Sequence, residues 1–166
     1  MNGAIQKGTP LAIERLNLGC GQYPRDDCIN ADIRPDSKAD VLMDASAADW
    51  PFKDESFDHI ECHHMLEHLR DPIVAMGEIH RILKPGATLE LSVPHFTRGY
   101  SHHEHCHGFD FTFALFFDPN FKEGFVGFPF ETISTRFVWF GQPDFKKRHL
   151  STLAYYGGST LGAVLD

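Results

Sequence analysis

The apolar run Leu16-Asn17-Leu18 stops abruptly at Gly19-Cys20-Gly21, the pattern of a buried strand that hands its chain to a tight turn. Glu14–Leu18 is therefore read as a first strand, and Ile29–Ile33 as a second, which carries an acid, Asp32, near its end. Between them, Gln22–Asp27 has room for one helical turn or none, because Pro24 suits only a first turn. Ala39–Met43 reads as a short third strand followed by Asp44, and Ser56–Cys62 as a fourth. The connecting Ala45–Asp54 is turn-rich, with Trp50 and Phe52 as anchors. From Asp71-Pro72 the period changes. Asp71 is a good N-cap, Pro72 suits the first helical position, and Ile73, Met76, Ile79, Ile82 and Leu83 recur at helical spacing. Lys84-Pro85-Gly86 stops that helix, and Thr88–Val93 alternates as a fifth strand closed by Pro94. Further on, Thr132–Phe140 reads as a strand and Leu150–Asp166 as a partial helix with a Gly-rich tail.

Strands of this kind separated by loops and one clear helix imply an α/β fold, a mainly parallel Rossmann-like sheet covered by helices, with a shortened first crossover. The whole chain, 1–166, is expected to be a single domain. Residues 1–13 form a lead-in, 14–96 a ligand-binding core, 97–130 a His- and Phe-rich acceptor or lid region, and 131–166 a C-terminal strand and tail. Only the first strand of a closing C-terminal hairpin is legible, and an open sheet edge there would favour a homodimer.

Composition narrows the picture. A net charge of −8 argues against sequence-independent binding of nucleic acid, which needs a basic face. The four cysteines, Cys20, Cys28, Cys62 and Cys106, form no Cys-x-x-Cys pair, which fits free thiols in a reducing compartment. No stretch has the length of apolar sequence that a bilayer span requires. A cytoplasmic protein acting away from membranes is the expectation. Fifteen phenylalanines are unusual for this length, and the group from Phe109 to Phe130 could line an apolar acceptor pocket or a dimer contact, with core filling the default for about half of them.

A glycine turn after one strand and an acid at the tip of the next is how parallel α/β sheets hold a nucleoside. More motifs follow in order: Met43-Asp44-Ala45; Trp50-Pro51-Phe52 leading to Ser56-Phe57-Asp58; Met65-Leu66-Glu67-His68-Leu69; and Arg81-Ile82-Leu83-Lys84-Pro85-Gly86. Over Leu16–Phe96 this series resembles the class I S-adenosylmethionine-dependent methyltransferases of the type 11 family. The resemblance implies that S-adenosylmethionine is the cofactor and that Gly19, Cys20, Gly21, Asp32, Asp44, Ala45 and Cys62 bind it. In that family Asp32 would take the ribose hydroxyls and Asp44 the adenine amino group. Asn17 stands where the family has an acid and Tyr23 where it has a third glycine, which leaves the methionine end of the pocket open or remodelled.

Eleven histidines, five of them in His95–His107, raise two further readings. Ser101–His107 has ligand types suited to zinc, but adjacent histidines in a loop more often point apart, and no metal is assigned. The preferred reading is a lid over a small-molecule acceptor, with His63 and His95 as candidate catalytic bases. Glu67, His68 and Asp58 are read as structural residues. The expected activity is methyl transfer to an unidentified small molecule. The alternatives are a non-catalytic binding or assembly module on the same fold, and a metal-binding protein using the His-rich loop.

Overall fold

The computed structural model describes residues 14–100, 102–141 and 155–164. Seven strands form one sheet in the order β3-β2-β1-β4-β5-β7-β6. The first five, β1 (Arg15–Leu18), β2 (Ile29–Asp32), β3 (Val41–Leu42), β4 (Phe57–His63) and β5 (Leu83–Pro94), run parallel. β7 (Tyr155–Val164) lies antiparallel between β5 and β6 (Glu131–Gly141). Both strands of the closing hairpin are thus present among the described residues. The partial helix expected across Leu150–Asp166 is replaced over 155–164 by a strand bonded on both sides; 142–154 lie outside the described residues. Backbone ladders on two flanks supply what its glycines lack in strand propensity.

The first crossover contains turns and no helix, as its length predicts. Helix α1 (Pro72–Ile82) begins where its cap residue dictates: the Asp71 carboxylate accepts from the Ile73 N–H at 3.0 Å. Pro72 is buried at its start, and Ala75, Met76, Ile79 and Ile82 pack into one core with Leu16, Leu18, Ile60, Leu89, Leu91 and Val93. Arg81 fastens the turn-rich segment before β4 to this helix. Its guanidinium donates to the carbonyl of Phe52 at 2.9 Å and to the carboxylates of Asp54 and Glu78, both at 2.6 Å. Glu78 in turn accepts from the Trp50 N–H at 2.8 Å.

After β5 the chain makes a short helix, α2 (Phe96–Gly99), and later a 3-10 helix at Phe111–Phe117. Phe109, Phe113, Phe117 and Phe130 are buried and meet edge to face at 4.8–5.5 Å between successive rings, so they fill the core. Phe111 and Phe116 are exposed.

The two faces of the sheet differ in chemistry. Alternation puts Leu16, Leu18, Ile60, Cys62, Leu89 and Leu91 on the face toward α1, and Arg15, Asn17, Asn30, His59, Glu61, Thr88 and Glu90 on the other. Helix α1 packs on the first face, in keeping with a mainly parallel, helix-covered sheet. The second face carries a plate of polar contacts. Buried Glu61 receives Arg15 Nη2 at 2.7 Å and Arg25 Nη1 at 2.6 Å. Asn17 Nδ2 donates to the Tyr23 carbonyl at 3.1 Å and to Asn30 Oδ1 at 3.0 Å. A crossover without a helix offers no apolar surface to bury against, so this face is built to hold a loop by hydrogen bonds.

Candidate functional site

A cleft of about 360 Å³ opens at the carboxyl ends of β1, β2 and β3, the edge where open α/β sheets bind ligands. Its floor is the turn Gly19-Cys20-Gly21. Gly19 and Gly21 have positive φ, 75° and 52°, and the N–H groups of Gly19 and Cys20 both donate to the Ala31 carbonyl, at 2.9 and 3.1 Å. A Cβ on Gly19 would stand 2.9 Å from the Met65 side chain, so glycine is what lets the two walls approach.

Asp32 closes the far end of the turn. Its Oδ2 accepts from the Gly21 N–H at 2.7 Å and its Oδ1 from the Arg34 N–H at 2.9 Å, with Arg34 Nε at 3.7 Å. Asp44 is held by one oxygen: Oδ1 accepts from Ser46 N–H at 2.8 Å and Ser46 Oγ at 2.7 Å. Those two bonds, the hydroxyl first, hold the carboxyl below its usual range, so Asp44 is ionised at neutral pH. Ile33, Met43, Ala45, Met65 and Leu69 supply apolar wall, and Arg34 a cation.

The third side comes from the segment after β4. His64 sits at φ 53°, and its Nδ1 lies 3.2 Å from Oε1 of Glu67, a residue only 1% exposed in the 3-10 turn Leu66–His68. That contact raises the His64 pKa against the opposing effect of burial. His64, His68 and Glu104 complete the lining.

Of the residues singled out from the sequence, Gly19, Gly21, Asp32, Asp44 and Ala45 come together here. Four do not reach the lining. Cys20 is buried beneath the turn. Cys62 is fully enclosed in the core, where desolvation pushes its thiol far above the ordinary range, because its β4 position points toward α1. His63 points to the polar face, with Nε2 3.8 Å from Glu61. His95 has its Nδ1 3.0 Å from Thr97 Oγ1 and its ring against Phe96 and Phe137 at 4.4 and 4.9 Å. His68 contacts a neighbouring loop through Nδ1, 3.3 Å from the Glu104 carbonyl, and Asp58 bonds the Glu14 N–H and Lys84. The cleft also uses Arg34 and His64, which the sequence did not single out, and Met65, which entered only as part of the Met65–Leu69 motif. Of the first two, Arg34, two places after the strand-end acid, carried a signal that could have been used.

Comparison with known proteins agrees with this fold. Residues 25–91 match the family described as Methyltransferase domain. A demethylmenaquinone methyltransferase of Staphylococcus carnosus is 34% identical over 65 residues, which cover 36% of this chain and 27% of that protein. The chain thus spans about a quarter of the length of that relative. Among solved structures, a SAM-dependent methyltransferase from Methanosarcina mazei superposes with a TM-score of 0.64 at 18% identity, covering 92% of both chains. One from Archaeoglobus fulgidus gives 0.61 at 15%, covering 92% of this chain and 86% of that one.

Proposed function

We propose, from the premise that this chain carries the class I methyltransferase fold with the methyltransferase-domain match in its core, that it is an S-adenosylmethionine-dependent methyltransferase acting on a small molecule. The observation that carries the reading is the cleft itself. It joins a glycine floor that would clash if a Cβ were added, an acid at the end of β2, and an ionised acid after β3 with one oxygen open. These features fit the cofactor's parts. Bound there, S-adenosylmethionine would supply an electrophilic methyl group on a sulfonium.

The residues then have distinct tasks. Each Asp32 oxygen spends one acceptor site on a backbone N–H and keeps another for a ribose hydroxyl. Asp44 Oδ2 accepts from the adenine amino group, and Ile33, Met43 and Leu69 pack against the ring. The Arg34 guanidinium supplies charge to the methionine carboxylate near the glycine turn, where Asn17 and Tyr23 depart from the family pattern. Direct displacement depends mainly on positioning. In this reading residues 14–96 hold the cofactor and 97–130 the acceptor, and the cleft histidines His64 and His68 face the acceptor in place of His63 and His95. A net charge of −8 supports a small-molecule acceptor over nucleic acid. Among the described residues no helix is long and apolar enough to cross a membrane, and the reading places the protein in the cytoplasm. The outer strand β6, with Ile133 60% exposed, supports a homodimer through that edge.

Calorimetric titration with S-adenosylmethionine and S-adenosylhomocysteine tests the reading, with micromolar binding of both expected. A folded protein that binds neither would overturn it. Binding without transfer across an acceptor panel would favour a ligand-binding module on the same fold.

A further inference from the structure

We propose that Glu67, His68 and His105 form a site for a divalent transition metal, zinc by preference, at the rim of the cleft. One ligand atom from each of the three lies within 4.8 Å of the others, although His105 comes from a loop far along the chain. Metal binding with bonds of about 2.0–2.2 Å would draw these atoms closer together by side-chain rotation.

Three independent features point to a ligand. First, Glu67 is buried, and its Oε2 has no hydrogen-bond partner, while Oε1 is satisfied by His64. A buried carboxylate oxygen left bare is costly, and a cation removes that cost. Second, both imidazoles are set in the same tautomer. His68 Nδ1 faces the Glu104 carbonyl at 3.3 Å, and His105 Nδ1 faces the Gly99 carbonyl at 2.8 Å. A carbonyl only accepts, so Nδ1 bears the proton in each ring and Nε2 keeps its lone pair, the arrangement metal-bound histidines show. Third, the two segments are clamped together. The N–H groups of Cys106 and His107 donate to the Glu67 carbonyl at 2.7 and 3.3 Å, and His107 Nε2 lies 3.0 Å from the Arg70 carbonyl.

The neighbouring His102 is different. Its ring stacks on His105 at 4.6 Å, but its Nδ1 accepts from the Glu104 N–H, which uses the lone pair and leaves the proton on Nε2. His102 and His103 are thus bystanders in an arrangement with three protein ligands. Such a set leaves one coordination position for water or substrate, as in open zinc sites. His68 also lines the cleft, so that position belongs on the acceptor side.

The test uses untagged full-length protein, purified without a metal resin, stripped with chelator and titrated calorimetrically with zinc chloride. One equivalent should bind, and His105→Ala and Glu67→Gln should each weaken binding by about 100-fold or more. The double variant His102→Ala/His103→Ala should bind as the parent does. Cobalt(II) should give the visible absorption of a low-coordinate site, lost in His105→Ala. Circular dichroism and melting of the half-exposed His105 variant guard against an unfolded protein. Absence of stoichiometric binding, or binding abolished by the His102/His103 change and untouched by His105→Ala, overturns the proposal.

Discussion

Gly21 and Asp32 are joined by a 2.7 Å bond from the glycine N–H to the carboxylate Oδ2, so one side chain fixes the turn after β1 to the end of β2. The same carboxylate holds the next turn through the Arg34 N–H at 2.9 Å. In Asp32→Ala both charge-assisted bonds and the ribose acceptor go together. Affinity for S-adenosylhomocysteine should fall by roughly 100-fold, at about 1.5–3 kcal/mol for a hydrogen bond to a charged group. Asp32→Asn should lose less, since it keeps one acceptor oxygen. Paired calorimetric titrations check the order.

Two glycines separate backbone strain from crowding. Gly19 and Gly86 share φ 75°, but a Cβ at Gly19 would press on Met65, whereas at Gly86 it meets nothing within 4 Å. Gly86→Ala should cost about 1 kcal/mol and Gly19→Ala about 2–3 kcal/mol. Urea midpoints should rank them so, and only Gly19→Ala should impair cofactor binding.

All four cysteines are free, but only Cys106 is exposed. Desolvation raises the thiol pKa at Cys20, Cys28 and, most strongly, Cys62. A thiol reagent at pH 8 should modify one cysteine quickly in the native protein and four after denaturation. Cys106→Ser should remove the fast phase.

Much of this was legible in the chain because it is local. Asp71-Pro72 declares the start of α1, Gly-x-Gly the end of β1, and the strand-end acids the ligand edge. The strand β7 was hidden because glycines such as Gly157 and Gly158 read as a tail, while neighbours on both sides hold it extended. The burial of Glu67 involves a loop about 40 residues away that bonds to its carbonyl, and His64, at positive φ, bonds its N–H to the Ser92 carbonyl of β5, which no short window of sequence contains.

His80 packs between Phe128 and Phe130, with ring centroids at 5.5 Å from each, and burial lowers its pKa. Since the folded value lies below the unfolded one near 6.5, the neutral ring costs nothing above that pH. Below it the unfolded chain takes a proton the folded one resists, and stability falls until the folded pKa is passed. His80 should therefore lower the melting temperature progressively from pH 7 to pH 5.5, and His80→Leu should remove that contribution from the slope. Equal slopes for both proteins would count against it.

The bonds from Cys106 and His107 to the Glu67 carbonyl, with His107 on Arg70, rivet the His-rich loop to the far bank of the cleft. That bank cannot swing outward without breaking them. The opposite bank is the more exposed one, with Ile33 59% exposed and the Arg34 side chain 54% exposed. A nucleoside leaving on that side would break none of the bonds that hold the loop.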